Sequence, residues 1–186
     1  MIVIETKFRH IIFTIYALRR TGSIVQFSEI KFLDSSGNVF PWPSGTVVTS
    51  SIDATSDREN AAKVIDGSVD TKFCSTKYAS GAYIDIDLGS GNYIDLSVYT
   101  QWQWYTANDS PERDPVDFII SVSNDVSSSI VVGGVKGATI TENRKSLAYT
   151  GEFHVASENT NKVFAKIDGS WVQASNVIGN VNGALV

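Results

Sequence analysis

Apolar residues return at every second position over most of this chain. Ile11, Phe13 and Ile15 alternate with Ile12, Thr14 and Tyr16, giving a strand with both faces mostly covered. Tyr83, Asp85 and Asp87 alternate with Ile84, Ile86 and Leu88, the pattern of a strand with one wet face. A period of two puts alternate side chains on opposite sides of an extended backbone, and a helix of 3.6 residues per turn cannot use it. Only 59–65 (ENAAKVI) reads as a helical turn, and it ends in Asp66-Gly67.

The other segments follow the same rule. Val25 and Phe27 share one phase, and Ile30 and Phe32 share the other. The slip at Ser28-Glu29 predicts a β-bulge that re-aims one side chain. Residues 34–38 (DSSGN) form a turn, and Trp42 between Pro41 and Pro43 stays out of any strand interior. Ile94, Leu96, Val98, Trp102 and Trp104 share a phase, which predicts that both tryptophans are core. Val116, Phe118, Ile120 and Val122 mark a further strand. Shorter ones follow near 130–132, 138–141, 146–149 and 153–155. Many short strands with frequent turn signals make an all-β protein, an antiparallel β-sandwich or jelly roll.

The composition supports one main domain. Of 186 residues, 42% are hydrophobic and 19% charged, enough apolar matter for a core. The sandwich is expected over 1–155. Around Ala156 the sequence turns polar (SENTNK), and 156–186 reads as an extension. Within it, 163–167, Asp168-Gly169 and 171–172 predict a hairpin. Val163, Phe164, Ile167 and Trp171 are too many large apolar groups for a lone hairpin to hide. The extension is therefore expected to attach to other subunits in a homo-oligomer or multi-copy assembly, or else to cover an edge of its own sandwich.

Charge and cysteine usage narrow the function classes. The net charge is −5, and 15 Lys and Arg are spread thinly, which argues against a nucleic-acid partner. No apolar run approaches the roughly 18 residues of a membrane span. The single Cys74 excludes an internal disulfide, and MIVIETKFRH lacks the layout of a secretion signal. Synthesis in a host cytoplasm is expected, which also suits a virion protein.

Catalytic signatures are weak. His10 and His154 stand in no metal-ligand spacing, Cys74 has no His near it in sequence, and neither a nucleophile elbow nor a phosphate loop is present. Asp85 and Asp87 fall on one strand face roughly 7 Å apart, within reach of a glycosidase pair, but a wet face needs polar residues anyway. Arg113-Asp114-Pro115 reads as an ion pair that locks a loop. The chain is expected not to be an enzyme. Residues 63–71 gather two carboxylates, a hydroxyl and loop carbonyls, the oxygen donors a hard cation takes. The EF-hand pattern is not met, and a plain Asp-Gly turn is the alternative.

ENAAKVIDGSVDTKF followed by YIDIDLG resembles the discoidin or coagulation-factor C-type domains, which are galactose-binding-like β-sandwiches. Their stretch A-x-D-G-x-x-x-T-x-W has Val64 in place of Ala and Phe73 in place of Trp here. TANDSPERDPVDFIISVSND (106–125) is similar to the family's central strand pair. RHIIFTIYALRRTGSIVQFSEIKFLD (9–34) looks like the family's C-terminal strands moved to the front, a circular permutation. The resemblance implies a structural Ca²⁺ held by the Lys63 and Ser68 carbonyls, Asp66, Thr71 and Glu29. It also implies ligand-carrying loops at one end, where Arg58, Asn60, Lys77, Tyr78, Tyr105 and Trp42 are candidates for a glycan. Trp42 alternatively plugs the sandwich end.

VFAKIDGSWVQAS resembles hairpins of bacteriophage tail and fibre proteins. Together these features imply a non-enzymatic virion component, in a tail fibre, baseplate or capsid surface, that adheres to a host-surface glycan. The alternatives are a structural decoration or joining protein with no glycan ligand, and a stand-alone carbohydrate-binding module of a polysaccharide-degrading system.

Overall fold

The computed structural model describes residues 5–125 and 128–154, with the backbone of two further strands at Val163–Ile167 and Ser170–Ala174. Thr6–His154 form one compact unit. It is an all-β antiparallel sandwich. The larger sheet has five strands in the order β11-β10-β2-β7-β5: β2 is His10–Leu18, β5 Val47–Ser50, β7 Ala82–Asp87, β10 Pro115–Asp125 and β11 Ser128–Val135. The smaller has three strands in the order β12-β9-β4, with β4 Glu29–Asp34, β9 Tyr99–Tyr105 and β12 Leu147–Glu152. Two ribbons complete the unit. β1 (Lys7–Phe8) pairs with β8 (Ile94–Asp95), and β3 (Val25–Phe27) pairs with β6 (Phe73–Ser75). Among the described residues no helix is long and apolar enough to cross a membrane.

The core is where the alternation places it. Ile11, Phe13 and Ile15 of β2, Ile84 and Ile86 of β7, and Phe118, Ile120 and Val122 of β10 are all buried. Phe13 stacks on Phe118 at 4.5 Å between ring centres. Facing them, Trp102 and Trp104 are 1% and 0% exposed, as their phase predicted. Both meet Phe118 edge-on, at 5.5 and 6.2 Å. Trp102 lies over a glycine: a Cβ at Gly151, its partner across β9 and β12, would stand 2.1 Å from the indole. Its Nε1 donates to the Glu152 carbonyl at 3.2 Å.

Several expectations change in three dimensions. The phase slip at Ser28 is a change of sheet, not a bulge. β3 pairs with β6, β4 pairs with β9, and Ser28 bonds the Tyr105 and Thr106 carbonyls at the crossing. The expected strand through Val98 breaks after Asp95, whose carboxylate accepts from the Ser97 amide and hydroxyl, and Val98 is exposed. Residues 138–141 are loop, although Ala138 and Ile140 are buried. The helical turn at 59–65 is two 3₁₀ turns, Asp57–Glu59 and Ala61–Val64, divided at Asn60. Tyr16, expected to be covered, is exposed.

The locking ion pair has other partners than expected. Arg113 faces Glu112 at 3.7 Å. Asp114, fully buried, takes a two-pronged bond from Arg144 at 2.9 and 2.6 Å and a third contact from Arg19 at 3.4 Å. Paired charges of this kind tie the 107–114 loop to the segment just after β2 and to the 140–145 segment. The strands Val163–Ile167 and Ser170–Ala174 (β13 and β14) pair antiparallel, Ile167 opposite Ser170, as the hairpin pattern predicted. Its Asp168-Gly169 turn and the rest of the extension lie outside the described residues.

Replacing Gly151 with Ala forces a methyl into the Trp102 ring and is expected to cost about 1–3 kcal/mol or more. Trp102→Ala is expected to cost about 3–5 kcal/mol. Urea unfolding measures both. Wild-type stability in either variant would contradict this packing.

Candidate cation site

Glu29 opens β4 and stands opposite Tyr105 of β9, on the outward side of the three-stranded sheet. An outward carboxylate would ordinarily be wet. This one is 1% exposed, because the 66–68 loop lies over it. Three local features bring the loop there. Asn60 caps the second 3₁₀ turn, its Oδ1 accepting from the Ala62 amide at 3.0 Å. Ala61 and Val64 are buried, and the turn packs against β4, β5 and β6. Gly67 then turns the chain at φ +80°, a conformation that glycine adopts without a steric penalty.

The two oxygens of Glu29 have different fates. Oε1 accepts from the Gly67 amide at 3.2 Å. Oε2 is buried with no hydrogen-bond partner. An orphaned, desolvated carboxylate oxygen is costly. Burial accordingly pushes the Glu29 carboxyl up to about 7, against the pull of the Gly67 amide, and the nearby Asp66 charge adds to the rise.

The rest of the loop is built around Asp66. Its carboxylate accepts from the Thr71 hydroxyl at 2.8 Å to each oxygen and from the Ser68 amide at 3.1 Å. Thr71 Oγ1 also reaches the Ser68 carbonyl at 3.1 Å. Lys63 enters through its ammonium, which lies 3.2 Å from Asp66 Oδ2. Glu29, Asp66, Ser68, Thr71 and Lys63 thus come together from segments separated by 38 residues at their Glu29–Gly67 contact. Among the described residues no three His, Cys, Asp or Glu side chains converge as a metal-binding group. The donors at this loop are two carboxylates, a hydroxyl and backbone carbonyls. That set fits a hard cation such as Ca²⁺ and does not suit a soft one.

The expected glycan residues each have their own local partners. Tyr105 stands opposite Glu29 across β4 and β9; its hydroxyl donates to Gln103 Oε1 at 2.9 Å, and Lys31 Nζ stands 4.6 Å over its ring. Asn60 is engaged as the cap, and Arg58 is exposed in the preceding turn. Lys77 pairs with Asp53 on the surface. Tyr78 is half-buried, and burial together with the Asp117 charge raises its hydroxyl's pKa. Trp42 is half-buried and packs edge-on against Phe32 and Phe40 at 5.5 and 5.3 Å. Tyr16 and Tyr83, both exposed, were not among the expected ligand residues; the alternation of Tyr16 with Ile15 and of Tyr83 with Ile84 was the available signal.

The acidic strand pair does other work. Asp87 binds the Arg9 guanidinium at 2.6 and 2.7 Å, which lowers its carboxyl to about 2. A group held ionised in this way does not serve as a general acid near neutral pH. Asp85 meets His10 Nδ1 at 3.1–3.2 Å. No known protein family, curated protein or solved structure matches this chain.

A carboxyl raised from 4.5 to about 7 stabilises the fold while the folded state holds its proton more tightly. In ion-free protein that contribution is complete below pH 4.5 and disappears as pH rises through about 7. Its full size is about 3 kcal/mol. Glu29→Gln is expected to remove this slope and to leave the ion-free variant the more stable form at pH 8. Equal pH profiles in chelator for wild type and variant would contradict the burial assigned to Glu29.

Proposed function

We propose that this chain is a non-enzymatic recognition module of a bacteriophage particle, in which a cation-pinned β-sandwich binds a host-surface glycan and the C-terminal extension attaches it to other subunits. The observation that carries the reading is the meeting of Glu29 with the 66–68 loop. The resemblance to a permuted discoidin-like domain names these residues as one site, and nothing about their distance in sequence requires them to touch. Their contact supports the permutation, and with it a Ca²⁺ held by Glu29, Asp66, Thr71 and backbone carbonyls of the loop. The ion would supply positive charge to the Glu29 and Asp66 carboxylates and would fix the loop to β4. Glu29 and Asp66 bind, Thr71 orients Asp66, and Gly67 gives the turn.

A glycan array probed with the purified chain in calcium tests the adhesive role. Binding to a defined set of saccharides is expected, weakened when chelator releases the loop. No binding to any saccharide would leave the decoration or joining role in its place. Deleting 157–186 is expected to leave a folded monomer that no longer assembles. A deletion variant that still assembles would contradict the attachment role.

A further inference from the structure

The outward face of the five-stranded sheet presents two exposed aromatic rings. Tyr16 and Tyr83 are 43% and 44% exposed. Thr14 of β2 stands opposite Tyr83 of β7, so Tyr16, two residues further along β2, is the diagonal neighbour of Tyr83 on the same face. Diagonal neighbours lie about 7–8 Å apart, within reach of two rings acting together. Both backbones are held. The Tyr83 amide donates to Ser51 Oγ at 2.9 Å, and its carbonyl accepts from the Ser51 amide at 2.9 Å. The Tyr16 carbonyl accepts from Ser80 Oγ at 2.9 Å. Ring platforms mounted on rigid strands lose little entropy on binding.

The surroundings specify the occupant. Thr14, Thr49 and Asp85 share this face and offer hydroxyl and carboxylate groups to sugar hydroxyls. The charges are unfavourable to an anion. Asp85 follows Tyr83 by two residues on this face, and the Arg9 guanidinium, further along the sheet, is held by Asp87. Aromatic faces bordered by hydrogen-bonding groups and by negative charge suit a neutral saccharide and repel an acidic one.

We propose that Tyr16 and Tyr83 form the platform on which a neutral saccharide chain stacks, placing the glycan site on the sheet face and away from the end loops. This rests on the glycan-binding reading above. The test titrates the full chain with neutral oligosaccharides of glucose, galactose, mannose and N-acetylglucosamine, and with acidic ones containing sialic or uronic acid. Tyr16→Ala, Tyr83→Ala and the double variant are compared with Tyr105→Ala and Trp42→Ala. Each platform variant is expected to bind a neutral ligand at least about tenfold more weakly. Unchanged melting is expected, because both rings are exposed.

Wild-type affinity in the double variant, with loss in Tyr105→Ala or Trp42→Ala, would overturn the platform and leave glycan binding intact. Binding of acidic saccharides alone would also overturn it. No saccharide binding by wild type would overturn both readings. A wild-type dimer that the double variant dissolves, without sugar binding, would assign the face to a second copy of the chain.

Discussion

A carboxylate buried beneath a loop, with one oxygen satisfied and the other orphaned, is the constraint around which this sandwich closes. Glu29 stands where the chain has just crossed from the β3–β6 ribbon to the three-stranded sheet. The 66–68 loop belongs to the stretch that leads back into β6. Fixing one to the other therefore fixes the crossing. Left without a cation, the contact is expensive: Oε2 has lost water and gained nothing. The loop compensates partly from within, through the Lys63 ammonium and the Thr71 hydroxyl on Asp66. A hard cation would compensate both carboxylates together.

The remaining framework holds this corner in place from the core outward. Trp102 and Trp104 fill the space between the sheets, and Gly151 lets the first indole lie flat against β12. Buried Asp114 with Arg144 and Arg19 ties the 107–114 loop to the 140–145 segment. Removing one member of such a group leaves an uncompensated buried charge, so the triad acts as a lock whose parts are mutually dependent.

Much of this was legible in the sequence, for stated physical reasons. Alternation placed the tryptophans inside because side chains on a strand have only two directions. Asp66-Gly67 declared a turn because glycine relieves the left-handed backbone. The slip at Ser28 was visible, but its meaning was not: a bulge and a sheet change produce the same local pattern, and only the pairing partners separate them. Residues 138–141 keep a strand-like rhythm, and Ala138 and Ile140 are buried as that rhythm requires, yet the bond from the Ala138 amide to the Val116 carbonyl of β10 is not continued into a ladder. The exposure of Tyr16 depends on which elements cover the sheet, and that is tertiary information. The burial of Glu29 is of the same kind. Its register points outward, and a loop 38 residues on reverses the outcome. Only the resemblance had paired the two.

The exposure of the sheet tyrosines draws attention to the faces of the sandwich. The cation reading rests on Glu29 and on the loop that covers it. Calorimetric titration of ion-free protein with Ca²⁺, paired with a crystal structure of the loaded form, tests this most directly. The account predicts saturable binding of one ion, lost in Glu29→Ala, with density about 2.3–2.6 Å from Glu29 Oε2. Absence of binding heat, or an ion seated elsewhere with Oε2 still unpaired, would contradict it.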